Sequence, residues 1–367
     1  MKQAFRVALF LLAIAGAGCG RAPVDTALHQ YAFVTNEESN TVTVLNLESF
    51  QVVRTVPVGK GPAAIVASPV RNEVYVLNTG SDSMSVVNAS TLRVDATVPL
   101  GRAPSFLALS PDGKTGFATN SGEGSVTAID LANRRVLASV ATGRDPSFAK
   151  VTPDGKLLAV SNRGNDTVSM IDVTRMKKVA DVKVGSQPGP LAILPDSSQL
   201  FVGNTGGNNV SAVDLKSYKL ITHLESGKAP ADLALKPDGG ELFVVNSSSD
   251  SVTIVNTGAD EVEENLMAGS GPLHAVVNSS NSLLYFSNSG SNTVTVVDID
   301  SRRVLASISV GTHPEALALT PDEHYLLVVD GVSNDLAVVD AVKRSLFTMV
   351  ALGRRPRHLA IKVFQGT

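Results

Sequence analysis

EVYVLNTGSDSMSVVNASTLRVDATVPLGRAPSFLALSPDGK occupies residues 73–114. Four strand-length segments stand out in it: EVYVLN, SMSVVNA, VDATVPLG and SFLALSPDG, separated by Gly, Asn, Asp and Ser. In SMSVVN polar and apolar residues alternate, the period of two that gives a strand two different faces. The PDG turn puts Gly where a tight hairpin needs positive φ. No stretch of ten residues carries helical spacing, which excludes helical repeats. Four short antiparallel strands in a unit this long form one blade of a propeller.

Working outward from this unit, lines of 42 residues starting at Tyr31 align eight copies without an insertion. Asn ends the first segment at 36, 78, 120, 162, 204, 246 and 288, and Asp330 stands there in the eighth copy. Gly recurs at 59, 101, 143, 185, 227, 269, 311 and 353, each followed three residues later by Pro. Asn or Asp marks a further position, from Asn46 and Asn88 to Asp298 and Asp340. The reading is an all-β, eight-bladed propeller of four-stranded antiparallel blades spanning 31–367.

YVLN at 75–78, NSGSNTVTVVD at 288–298 and SPDGK at 110–114 resemble the YVTN family of β-propeller repeats. The resemblance covers residues 31–364. It implies fold, because the family's motif residues are structural. That family usually has seven blades, so eight copies is a departure. The absence of Trp argues against a WD40 propeller. By the same analogy, the segment after each Gly-x-x-Pro is the innermost strand of a blade. The chain then opens at Tyr31 with a second strand and ends in an innermost strand, PRHLAIKVF at 356–364. That last strand is expected to complete the first blade and hide both sheet edges.

Apolar residues make up 43% of the chain and charged residues 18%, so the core is aliphatic. The formal charge of -3 argues against general nucleic-acid binding, which needs a basic excess to displace phosphate counterions. The only cysteine, Cys19, excludes an internal disulfide and any Cys-based metal or redox site in the propeller.

Residues 1–18 read as a secretory signal: Lys2 and Arg6, then an apolar run at 7–15, then small residues. The apolar run is too short to span a bilayer, which takes roughly 20 residues. Cys19 directly after the small residues resembles a bacterial lipobox, with Gly16 where that pattern usually has Leu. The resemblance implies lipidation at Cys19, a tether over 19–30, and export to the periplasm or cell surface. Gly20 after the cysteine favours the outer membrane.

Function is expected where the repeat breaks its own pattern, since the recurring Asn, Gly and Pro serve turns and strand entries. Two residues past the Pro, three copies turn polar: Asp232, His274 and His358. Four residues past it the copies carry Ala or Val, except for Lys150 in the third. Such a Lys is costly unless it faces water or a ligand. Beside these lie His313, Glu315, Arg354, Arg355 and Arg357.

Three readings follow. One is a site for a small polar or anionic ligand or an envelope protein, since Arg binds carboxylate and phosphate bidentately. The second is a metal ion held by His274, His313 and His358 with Asp232 or Glu315. The third is an ordinary solvated rim. The opposite face carries basic turns, Arg134, Lys178 and Arg302 among them, suited to acidic headgroups or to solubility.

No nucleophile elbow, zincin motif or P-loop is present, and no catalytic residue is singled out. No cofactor is expected beyond the metal ion of the second reading. The expectation is a lipid-anchored envelope protein whose propeller is a binding or scaffolding platform. The competing class is a channel-mouth enzyme or cofactor carrier, because some propellers of similar repeat are lactonases and haem-d1 domains are eight-bladed. Neither resemblance transfers residue by residue.

Overall fold

A computed structural model describes residues 28–365. The expected signal segment, Cys19 and the expected tether as far as residue 27 lie outside the described residues. The first strand, Leu28–Asn36, begins three residues before Tyr31, so residues 28–30 belong to the sheet and not to the tether.

The chain forms eight four-stranded antiparallel sheets. In seven of them four successive strands pair in order. The first blade takes Leu28–Asn36 and the next two strands from the start of the chain, and Pro356–Gln365 from its end. That last pairing runs from Leu28↔Gln365 to Val34↔Leu359. Blades are numbered from this closing one. Each 42-residue copy therefore provides three strands of its own blade and the inner strand of the next. The inner strands contact one another around the whole ring, Pro356–Gln365 meeting Pro62–Ala67.

Packing explains the composition. Eight apolar clusters are present among the described residues, each at the junction of two neighbouring blades. In the first strand Ala32 and Val34 face blade 8, while Phe33 faces blade 2. Both faces of a middle strand are buried, so its apolar run is nearly continuous.

The Asn and Gly of the repeat act as a pair. A Cβ at Gly353 would sit 2.7 Å from the Asn36 side chain, and one at Gly143 2.7 Å from that of Asn162. The Gly thus lets the loop close over the buried Asn. Positive φ falls two residues later, immediately before the Pro, as at Ala103, Gln187 and Arg355. Asn46 and its counterparts cap turns: its Oδ1 accepts from the backbone N–H of Glu48 and Ser49.

Candidate functional site

The inner strands run from the Gly-x-x-Pro loops into the central channel. After an irregularity beside the Pro, residues two and four past it face the channel. This places Phe106 (blade 3), Phe148 (blade 4), Pro190 (blade 5), Asp232 (blade 6) and His274 (blade 7) side by side. They line a cavity of about 390 Å³, and Lys150 projects into it one step deeper than Phe148. The cavity has two characters. Phe106 and Phe148 form an aromatic wall, with ring centroids 5.1 Å apart. Asp232, His274 and Lys150 form the polar one.

The polar side is built around Asp232. Its Oδ2 accepts from the backbone N–H of Ala275 at 3.0 Å and lies 3.2 Å from His274 Nδ1. Its Oδ1 accepts from the N–H of Leu233 at 2.8 Å. Burial pushes the Asp232 carboxyl up, but the His274 contact and these N–H groups outweigh it and hold it below its usual range. Burial likewise pushes His274 down, and the Asp232 hydrogen bond and charge reverse this to a net rise. The pair therefore favours carboxylate and imidazolium. Burial lowers Lys150, with the Asp232 charge only partly opposing it. Lys150 is nonetheless exposed to the water of the channel.

His358 of blade 1 meets His274 edge-on across the small Ala316, ring centroids 6.1 Å apart at 85°. Burial, then the charges of His274 and Arg357, push His358 down to about 3, so it is neutral. It is a wall of the imidazolium, not a second cation.

The remaining candidates form a separate group on the outer rim, around a groove of about 420 Å³. Arg357 Nη1 donates to Glu315 Oε1 at 2.8 Å, and its Nε lies 3.5 Å from Glu37 Oε2. Arg355 reaches the same Glu37 oxygen at 3.1 Å and Glu38 at 3.9 Å. His313 Nδ1 is 3.5 Å from Glu315 without hydrogen-bond geometry. Arg354 is exposed and pairs with no carboxylate among the described residues. Three arginines thus stand among Glu37, Glu38 and Glu315, which cancels most of the positive field expected from the sequence.

Glu37 and Glu38 were not singled out from the sequence, yet theirs is the only Asn-rich loop with two adjacent carboxylates. The aromatic wall was also missed, because Phe at those positions resembles ordinary core. Among the described residues, no three His, Cys, Asp or Glu side chains come together as a metal site. His274, His313 and His358 do not form the set that the metal reading needs: His313 sits in the outer group, and His274 Nδ1 is taken by Asp232.

On the opposite face, basic turns serve as latches between blades. Arg134 donates to Glu73 at 3.0 Å and nears Asp95 at 3.5 Å. Arg302 does the same with Glu241 and Glu263. Lys178 pairs with Asp181 within its own blade.

Fold and site together define an eight-bladed propeller with an amphipathic cavity in its central channel. The family described as Lactonase, 7-bladed beta-propeller matches residues 21–134, 88–184, 135–219 and 215–308, and the chain belongs to this family, with one blade more than that description. No curated protein matches the chain. Among solved structures, the chain is similar to hydrazine synthase of Kuenenia stuttgartiensis (23% identity, TM-score 0.64), over 76% of this chain and 95% of that one. It is similar to dihydro-heme d1 dehydrogenase NirN in complex with DHE (15%, 0.77), over 90% and 74%. It also matches AztD of Citrobacter koseri (15%, 0.71), over 93% and 100%. At these identities the likeness is one of fold.

Proposed function

We propose that the propeller binds a small anionic ligand with an apolar portion in its central channel. The observation that carries this is the polar wall of the cavity. Lys150 and the imidazolium of His274 bring two positive charges against the single carboxylate of Asp232. One further negative charge is therefore accommodated, and Phe106 and Phe148 receive the apolar part. The volume is in the range of small-molecule sites, roughly 300–1,000 Å³.

Membership of a lactonase family and the likeness to NirN, a propeller protein in complex with DHE, support small-molecule chemistry at a propeller. They do not decide between binding and turnover. Asp232 favours the charged form of His274, which makes it a poor base for activating water, so binding is the better reading than lactone hydrolysis. The YVTN-type repeat and the N-terminal sequence support the wider role: a lipid-anchored binding protein held at Cys19 outside the cytoplasm.

The test is thermal unfolding of the mature chain with phenyllactate, against 2-phenylethanol, which lacks the carboxylate. A ligand at 100 times its Kd adds about 2.7 kcal/mol of stability. Phenyllactate is expected to raise Tm, 2-phenylethanol to have little effect, and Phe148→Ala and His274→Gln each to reduce the rise. Equal shifts with both compounds, or a rise unchanged in both variants, would overturn the proposal.

A further inference from the structure

Three features come together at Lys150. Seven copies of the repeat hold Ala or Val at its position, so its ammonium is not needed for folding. Among the described residues its Nζ has no hydrogen-bond or ion-pair partner, as is also true of the turn lysines Lys177 and Lys219, but Lys150 lines the channel cavity. It also faces a cavity shared with the imidazole of His274, which is hydrogen-bonded to Asp232. Lys362, another lysine held in protein surroundings, donates to the Ser68 carbonyl at 2.6 Å and is only 7% exposed, so it cannot meet a ligand.

We infer that Lys150 captures a carbonyl compound, an aldehyde or a 2-oxo acid, as an imine inside the channel, with His274 as the proton donor. This rests on the ligand site proposed above and names its ligand class. The ammonium first loses a proton to water, a step that burial of Lys150 favours. The Nζ lone pair then attacks the carbonyl carbon. A C–N bond forms, the C=O π pair moves to oxygen, and His274 supplies the proton that makes the carbinolamine hydroxyl. The nitrogen then returns a proton to the now neutral His274, which passes it to the hydroxyl. The C–O bond breaks, water leaves, and the nitrogen lone pair forms C=N, leaving a protonated imine and a neutral imidazole. No oxidant or reductant is required. A 2-oxo acid sets its side chain against Phe106 and Phe148 and its carboxylate beside the protonated imine nitrogen that Lys150 becomes.

The mature chain is incubated with phenylpyruvate and sodium cyanoborohydride, which reduces an imine to a stable secondary amine. Intact mass and peptide mapping locate the adduct. One adduct is expected on Lys150, formed at least ten times faster than on any other lysine, blocked by phenyllactate and absent in Lys150→Met. His274→Gln is expected to slow it about 100-fold, the lower range of general acid catalysis. Labelling spread evenly over surface lysines, or none on Lys150, overturns the inference. If phenyllactate still stabilises the protein while Lys150 stays unlabelled, only the imine falls. If phenyllactate also fails to stabilise it, the ligand site falls too.

Discussion

Asp330 shows how one residue can reverse a local rule. In the other copies the buried Asn donates through Nδ2 to partners five and seven residues on. Asn78 donates to Ser83 and Ser85 at 3.2 and 3.0 Å. In blade 8 the trio becomes Asp330, Asp335 and Ala337. Asp330 is 0% exposed and neither of its carboxyl oxygens has a hydrogen-bond partner. Burial, then Asp335, raises its pKa to about 8. Folding therefore takes up a proton between the ordinary carboxylate range, near ~3.9, and about 8. The folded carboxyl's contribution is fully present below that range and is lost as pH rises through about 8, by at most about 1.4 kcal/mol per pH unit. Asp330→Asn would copy the 2.7 Å contact from Asn204 to Asn209. The variant is expected to melt close to wild type near pH 4 and increasingly above it from pH 5 to pH 8. A difference that stays flat over that range contradicts the assignment. The same reading by exception located Lys150, Asp232 and His274 in the sequence. It missed Glu37 and Glu38 because it was applied to the inner strands and not to the loops facing them.

At the scale of the strand and loop, the sequence was legible wherever a side chain alternates or a turn needs a particular backbone. Strand number, antiparallel order and the PDG turns follow from period and turn chemistry; Gly113 and Gly155 have φ of 64° and 74°. The reason for the repeated Gly was not legible. It reads as a sharp exit from a strand, yet its real constraint is the Asn side chain of the next blade, a contact between residues 19 positions apart. Nor could the sequence divide the polar exceptions between two cavities. Lys150, Asp232 and His274 share the channel because their strands, in blades 4, 6 and 7, lie along one arc of the ring and point the same way. His313, Glu315 and the arginines sit on or beside the loops, further out. Their charges are cancelled by a loop from the opposite end of the chain, which no local reading brings near.

For the whole molecule, equal copy lengths express a closed ring in which every blade has two neighbours. The lock is one strand. Deleting residues 354–367 bares the inner edge of Leu28–Asn36 and removes Leu359, Ile361 and Phe364 from the clusters on either side of blade 1. Losing a large apolar side chain costs about 2–5 kcal/mol, so the sum approaches the roughly 5–15 kcal/mol that holds a typical domain folded. The truncated chain is expected to lose more than about 10 °C of Tm or its cooperative transition by calorimetry. A melt within about 2 °C of the intact protein contradicts closure.

A ring this regular carries function as a departure from its own best packing. Lys150 is the clearest case, an unpartnered cation where seven copies have a small apolar residue. Restoring the repeat with Lys150→Ala should make a better scaffold and a worse binding protein. The direct measurement is the Tm of wild type and Lys150→Ala, each with and without phenyllactate. The variant is expected to melt higher by roughly 1–3 °C when free, and to lose most of the ligand-induced rise seen in wild type. A variant that melts lower when free and keeps the full rise would contradict the placement of function in the channel.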